Sequence, residues 1–137
     1  MEKNQVNELT LTNCLIVDDD KFSRTFIKSA LSLIGIKNVK EAASAKEGIE
    51  ILKEYGIDLV ILDQVMPDQD GIEFVQEVKK LPNKSLKDLI IIMVTVDTQE
   101  KTVLKAKELG IKEYLVKPIS PNALKSRIED ALNLKKE

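Results

Sequence analysis

One stretch in the middle of the chain decides the fold, Asp58-Leu59-Val60-Ile61-Leu62-Asp63-Gln64-Val65-Met66-Pro67-Asp68-Gln69-Asp70-Gly71. It begins with a short apolar run rich in branched residues, which is typical of a buried strand. The carboxylate of Asp63 stands where that run stops, and Pro67 and Gly71 then mark a turn before a helical pattern. Asp63 could therefore be a nucleophile, a metal ligand or an ordinary loop residue.

Length and composition limit the classes of protein. The chain has 137 residues and a net charge of -2, from 21 basic and 23 acidic side chains. This balance predicts no direct contact with nucleic acid and no attraction to an anionic membrane. No apolar run approaches the roughly 20 residues of a membrane span, so we expect no membrane insertion and a cytoplasmic location. Residues 1–10 are predicted to be a loose polar leader before one domain in residues 11–137.

The chain contains one cysteine and no histidine. An internal disulfide, Ser-His-Asp or Cys-His catalysis, and a His-ligated zinc site are therefore excluded. Any chemistry must come from carboxylates, hydroxyls, lysines and the backbone.

Five strand signals alternate with five helix signals. The strand signals are 14–17, 37–43, 58–62, 89–94 and 113–116. Between them lie helical spacings, of which the first includes Phe22 and Phe26, and candidate N-caps at Ser44, Asp97 and Ser120. Strands separated by helices predict right-handed crossovers and a parallel sheet covered on both faces.

Reactive side chains follow four of the five predicted strands. Asp18 and Asp19 follow the first, Asp63 the third, Thr95 the fourth and Lys117 the fifth. Each alone is more often a cap, a turn or a solvated residue, but ligands bind beyond the carboxyl ends of parallel strands. Three crowded carboxylates need a cation, and an oxygen-only site favours Mg²⁺. A nucleophilic Asp beside such a cation and a lysine suits the formation of an acyl phosphate.

These residues resemble the receiver domain of two-component response regulators, over roughly residues 12–134. The motifs are Val17-Asp18-Asp19-Asp20, Asp63 with Met66-Pro67-Asp68-Gln69-Asp70-Gly71, Thr95, and Tyr114-Leu115-Val116-Lys117-Pro118. The resemblance implies an α/β, doubly wound, flavodoxin-like (βα)5 domain with five parallel strands in the order 2-1-3-4-5.

The resemblance also implies residue roles around a bound Mg²⁺ or Mn²⁺. Asp63 would be the phosphoacceptor and a metal ligand. Asp19 would bind the metal directly, and Asp18 would orient it or bind through water. The backbone carbonyl of Val65 would be a further ligand.

Three more residues take roles by the same resemblance. Lys117 would bind the phosphoryl group, and its bond to Pro118 would be a cis peptide. Thr95 and Tyr114 would form a switch pair, in which the hydroxyl moves to the phosphoryl group and the ring turns inward.

The function implied is that of a single-domain, chemotaxis-type regulator that switches on phosphorylation. A sensor histidine kinase or a histidine phosphotransfer protein would supply the phosphoryl group. The domain would catalyse its own aspartyl phosphorylation and slow autodephosphorylation. A downstream protein would bind the face of the fourth helix, fifth strand and fifth helix, with Lys101, Lys105, Tyr114 and Lys125 as candidate contacts.

Three other interpretations compete with this one. A calcium loop could use Asp68, Asp70 and Glu77 with Gly71, although its first position would be Met66. A nucleotide-binding enzyme is disfavoured because the chain has neither G-x-G-x-x-G nor a Walker A sequence. A receiver-like docking module that works without phosphorylation would behave the same with Asp63→Asn.

Val96 follows Thr95 where the receiver family usually has a small residue. Its branched side chain should narrow access to Asp63, so Val96→Ala should be phosphorylated severalfold faster by small phosphodonors than the parent. Rates of adduct formation measured side by side test this, and equal rates would contradict it. Val65 and Asp97 occupy the two variable positions that tune hydrolysis in the family, and their net effect on phosphoryl lifetime stays open.

Overall fold

A computed structural model describes residues 9–132 of the chain. Residues 9–11 are helical, five strands then alternate with five helices, and a 3-10 helix at Lys84–Asp88 precedes the fourth strand. The strands are β1 (Asn13–Val17), β2 (Asn38–Ala42), β3 (Leu59–Leu62), β4 (Ile90–Thr95) and β5 (Glu113–Val116). The helices are α1 (Lys21–Leu33), α2 (Ala45–Glu54), α3 (Gly71–Lys79), α4 (Glu100–Glu108) and α5 (Pro121–Ala131).

The strands form one parallel sheet in the order β2-β1-β3-β4-β5, as predicted. Two buried clusters cover its two faces. On one face α2, α3 and α4 pack over side chains such as Leu15 and Val60. On the other, α1 and α5 pack over side chains such as Ile16 and Ile61. The central strands read as continuous apolar runs because both of their faces are covered.

The helix starts follow from local side-chain chemistry. Ser120 caps α5 through the amide of Ala123, as predicted. Ser44 caps α2 through the amide of Glu47, but the Glu47 carboxylate reaches one residue further back than in a standard capping box, to the amide of Ala43. The side chain of Asp97 does not cap α4, since the N-cap is Gln99 and Asp97 instead accepts from the Gln99 amide.

The structure differs from the sequence predictions in helix α1, in the segment before β1 and in the segment before β4. Helix α1 begins at Lys21 and buries Ile27 but leaves Phe22 87% and Phe26 47% exposed. The predicted loose leader is wrong at Leu9, which is buried in the cluster under α1 and α5. Residues 1–8 lie outside the described part of the chain. The predicted loop over 81–85 instead leads into the 3-10 helix.

The loop between β3 and α3 is held by close backbone packing. The amide of Gly71 donates to the carbonyl of Gln64, and the buried Gln64 side chain accepts from the amide of Ile72 at 2.8 Å. A Cβ at Gly71 would lie 2.7 Å from the backbone oxygen of Asp63. Glycine at this position therefore lets α3 start directly against the loop that carries Asp63.

Gly71→Ala should destabilise the domain, because backbone must shift to admit the methyl group. We expect a loss of about 1–3 kcal/mol in the free energy of unfolding, measured by urea denaturation. Gly56→Ala is the matched control, since a Cβ there would meet nothing within 4 Å. Equal stabilities of the two variants would contradict the prediction.

Candidate active site

Strand register brings two buried carboxylates side by side. Val17 of β1 is the Cα partner of Leu62 in β3, so the next residues, Asp18 and Asp63, leave the sheet together. Asp18 is 1% exposed and Asp63 is 7% exposed. Their backbones are fixed at the same edge, because the Asp63 amide donates to the carbonyl of Val17.

Lys117 supplies the positive charge that this pair of carboxylates needs. Its Nζ donates to Oδ2 of Asp18 and to Oδ2 of Asp63, each at 3.0 Å. The backbone brings it there from β5, where the Lys117 amide donates to the carbonyl of Thr95. Burial alone would lower the pKa of Lys117, but hydrogen bonds and attraction to the two carboxylates outweigh it and raise that pKa. The bond between Lys117 and Pro118 is cis, the geometry that the resemblance implied.

Three acidic residues form a group that could hold a metal ion. Asp18, Asp19 and Asp63 each offer a carboxylate oxygen, and these oxygens lie within 4.8 Å of one another. Asp18 and Asp63 are buried while Asp19 is exposed, so the group opens to solvent on one side. An all-oxygen donor set with room for water fits a hard divalent cation such as Mg²⁺.

The alternative calcium loop is wrong. The Asp70 carboxylate accepts from the amide of Glu73 and thereby caps α3, and Glu77 accepts from the side chain of Gln69. Among the described residues, the acidic group able to converge on an ion is the one at Asp18, Asp19 and Asp63.

The second oxygen of Asp63 is held by its own loop. Oδ1 accepts from the amide of Val65 at 3.1 Å. Both oxygens of the carboxylate therefore have a partner, Lys117 on one side and the loop backbone on the other. The role of the Val65 carbonyl as a metal ligand stays a prediction.

Thr95 and Tyr114 are linked through one residue, Asp97. The buried Thr95 hydroxyl oxygen accepts from the Asp97 amide at 3.2 Å, and the Tyr114 hydroxyl donates to the Asp97 carbonyl at 2.6 Å. Burial, followed by the negative charges of Asp97 and Asp63, raises the pKa of Tyr114 to about 12. A phenol is already protonated at neutral pH at its ordinary pKa of about 10, and so can donate to the Asp97 carbonyl there.

An apolar groove of about 850 Å³ opens beside Asp63. The exposed side chains of Phe22, Phe26, Val65 and Val96 line it, together with Pro118. The sequence pattern placed the two phenylalanines with the buried face of α1. Their exposure was not foreseen, because helical spacing alone does not show where the apolar face of a helix ends.

A further charged pair at the site has no signal in the sequence. Arg24 of α1 donates through Nη1 to the carbonyl of Asp18 at 2.7 Å and through Nε to the Glu41 carboxylate at 3.1 Å. Glu41 comes from β2, which is the strand whose end carries no reactive residue. Only the three-dimensional packing of α1 beside β2 brings these two residues to the first strand end.

The fold and this site together define a class of protein. The sequence model of one protein family, the response regulator receiver domain, matches residues 14–129 of the chain. The chain belongs to this family. Members of the family signal in a phosphorylation-dependent way and bind Mg²⁺ at an acidic site.

Curated relatives narrow the class to receivers of the chemotaxis type. A chemotaxis protein CheY homolog from Campylobacter jejuni is 36% identical over 119 residues, which cover 86% of this chain and 90% of that protein. The chemotaxis protein CheY of Bacillus subtilis is 35% identical over 119 residues, covering 87% and 96%.

Solved structures agree with this assignment. The chemotaxis protein CheY4 of Vibrio cholerae is 28% identical, with a TM-score of 0.80 over 88% of this chain and 98% of that one. A response regulator receiver domain protein from Clostridium thermocellum is 32% identical, with a TM-score of 0.79 over 92% and 98%. Within residues 9–132, no helix is both long enough and apolar enough to cross a membrane.

Lys117→Met should tighten Mg²⁺ binding. The ammonium lies 3.0 Å from both buried carboxylates and repels a second cation, so its loss should lower the Mg²⁺ dissociation constant. Calorimetric titration of the phosphate-free protein measures this. Lys112→Met is the control, since that lysine is exposed and has no ion pair among the described residues. Weaker Mg²⁺ binding by Lys117→Met would refute the idea that the Lys117 ammonium and Mg²⁺ compete for the same carboxylates.

Proposed function

We propose that the protein is a signalling switch that accepts a phosphoryl group on Asp63 from a histidine of a sensor kinase or a phosphotransfer protein. The observation that carries this is the buried carboxylate of Asp63, which shares the Lys117 ammonium with Asp18 at 3.0 Å on each side. An acidic cluster within reach of one ion stands beside it.

Transfer of the phosphoryl group to Asp63 would form one oxygen–phosphorus bond and break one phosphorus–nitrogen bond. An oxygen of Asp63 attacks phosphorus, the phosphorus–nitrogen bond of the donor's phosphohistidine breaks, and the electron pair stays on the imidazole nitrogen. The amide of Val65 holds the carboxylate in orientation during attack. Lys117, released from Asp63, pairs with the incoming phosphoryl oxygens, as a lysine does in other phosphoryl transfers.

Asp18, Asp19 and Asp63 would hold the divalent cation that the family uses. When bound, such an ion neutralises charge on the phosphoryl oxygens. The contribution of the chain is to present three carboxylates from two adjacent strand ends, with Asp18 and Asp63 buried and Asp19 open to solvent. The Val65 carbonyl is a proposed additional ligand.

The donor would approach through the groove beside Asp63. Its wall is largely apolar, with Phe22, Phe26 and Val96 exposed, and Asp63 is one of the residues that line it. A protein surface that delivers a histidine to Asp63 must cover these side chains, and their burial would favour the encounter complex. Val96, which is exposed and lines the same groove as Asp63, would be covered by the donor as well.

Output would pass through Thr95, Asp97 and Tyr114 to the face of α4, β5 and α5. When the Thr95 hydroxyl turns to a phosphoryl oxygen, the Asp97 amide loses its acceptor, and the Tyr114 contact on the same residue is perturbed. A downstream protein would sense this next to Leu104, which is 55% exposed on α4, and the candidate lysines Lys101, Lys105 and Lys125. We place this signalling in the cytoplasm.

Phosphorylation of the purified protein tests the proposal. After incubation with Mg²⁺ and a small phosphodonor, we expect the intact mass to rise by one phosphoryl group that is labile to base. Asp63→Asn should show no gain, because the attacking oxygen is absent.

Asp58→Asn is the matched control for this experiment. Asp58 lies just before the other end of β3, where its carboxylate accepts from the Asn13 amide at 2.9 Å. The Asp58→Asn variant should therefore be phosphorylated to the same extent as the parent. If neither a small donor nor a histidine kinase phosphorylates the parent, the phosphoacceptor role is refuted, and a docking module that works without phosphorylation is favoured.

A further inference from the structure

The loop after β1 holds Asp19 between two fixed peptide units. On one side, the carbonyl of Asp18 accepts from the Arg24 guanidinium at 2.7 Å. On the other, the amide of Asp20 donates to the Asp18 carboxylate at 2.9 Å. No hydrogen bond to the exposed Asp19 carboxylate is seen among the described residues, so the two neighbouring peptide planes, which set the direction of its Cα–Cβ bond, are what aims this side chain at the acidic cluster.

Arg24 is itself held rigidly. Its Nε donates to Glu41 at 3.1 Å, its own amide donates to the Asp20 carbonyl at 3.0 Å, and its side chain is only 14% exposed. The planar guanidinium thus joins the end of β1 to the neighbouring strand β2. A lysine at this position could supply the charge but not the two donors at fixed angles.

We propose that Arg24 is a positioning residue that orients Asp19 for Mg²⁺ through the carbonyl of Asp18, with Glu41 fixing the guanidinium. This inference rests on the proposed function, since it concerns the same acidic site. Partners that orient metal ligands from outside the coordination shell typically change metal affinity by about 10–100-fold when removed.

The sign of the effect separates positioning from charge. The Arg24 guanidinium is a positive charge bound to the backbone carbonyl of Asp18, a member of the acidic cluster. By electrostatics alone, its removal would therefore strengthen Mg²⁺ binding. Lys117→Met is expected to act in that way. Loss of an oriented ligand acts in the opposite direction and weakens binding. A variant without Arg24 therefore reports which of the two effects is larger.

The experiment titrates Mg²⁺ into the parent, Arg24→Met, Arg24→Lys and Glu41→Gln by calorimetry, in metal-free buffer and without phosphodonor. We expect the dissociation constant to rise about tenfold in Arg24→Met and Arg24→Lys, and less in Glu41→Gln, which retains an acceptor. The amide resonances of Asp19 and Asp20 in NMR spectra should shift in the same variants before metal is added.

Lys28→Met is the matched control. Lys28 lies on the same helix and pairs with the other oxygen of Glu41 at 3.4 Å, but it does not contact the Asp18 carbonyl. It should bind Mg²⁺ as the parent does. Thermal unfolding in the presence of a chelator identifies any variant that loses affinity because it is unfolded at the titration temperature. If the Arg24 variants are unfolded, the dissociation constant of Glu41→Gln tests the inference instead.

Two results would overturn the inference. Folded Arg24→Met that binds Mg²⁺ within twofold of the parent, or more tightly, leaves Arg24 with no positioning role. Full recovery of affinity in Arg24→Lys would show that two donors at fixed angles are not needed at this position, which refutes orientation by the guanidinium. If the parent itself binds no Mg²⁺ and accepts no phosphoryl group, the proposed function fails together with this inference, whereas a failure confined to the variants refutes Arg24 alone.

Discussion

Two like charges, those of Asp18 and Asp63, are buried next to each other at the end of the sheet, and much of the site is arranged around that constraint. Unpaired charges in such a place are strongly unfavourable, and removing one partner of a buried ion pair typically costs about 3–5 kcal/mol. Lys117 satisfies both carboxylates with one ammonium. Its position depends on β5 pairing with β4 in register, where Thr95 is the partner of Val116.

The sequence was sufficient for the sheet and for the members of the site that stand at strand ends. Apolar runs identify buried strands, and helices between them force the strands to be parallel. The carboxyl ends must then share one edge, whatever the details of packing. For that reason Asp63 and Lys117 could be expected to meet although 54 positions separate them along the chain. Local patterns were equally reliable at Ser120, where the cap and the helix belong to one short segment.

Contacts that depend on how one element rotates against another were not predictable. Phe22 fits the helical period of α1 as well as Ile27 does, but the helix is turned so that Phe22 faces solvent. Arg24 and Glu41 read as ordinary surface charges, since neither follows a predicted buried run. Leu9 looked like part of a polar leader because a single apolar residue has no periodicity from which its burial could be inferred.

The way Lys117 is shared also sets the formal charge of the site. Three carboxylates and one ammonium leave two net negative charges in a small volume that is open to solvent on the side of Asp19. A divalent ion cancels that charge, whereas a monovalent ion such as K⁺ leaves part of it uncompensated. The charge balance of the site therefore favours divalent over monovalent ions, in addition to any preference that comes from coordination geometry. A receiver built in this way is sensitive to the valence of the ion it meets.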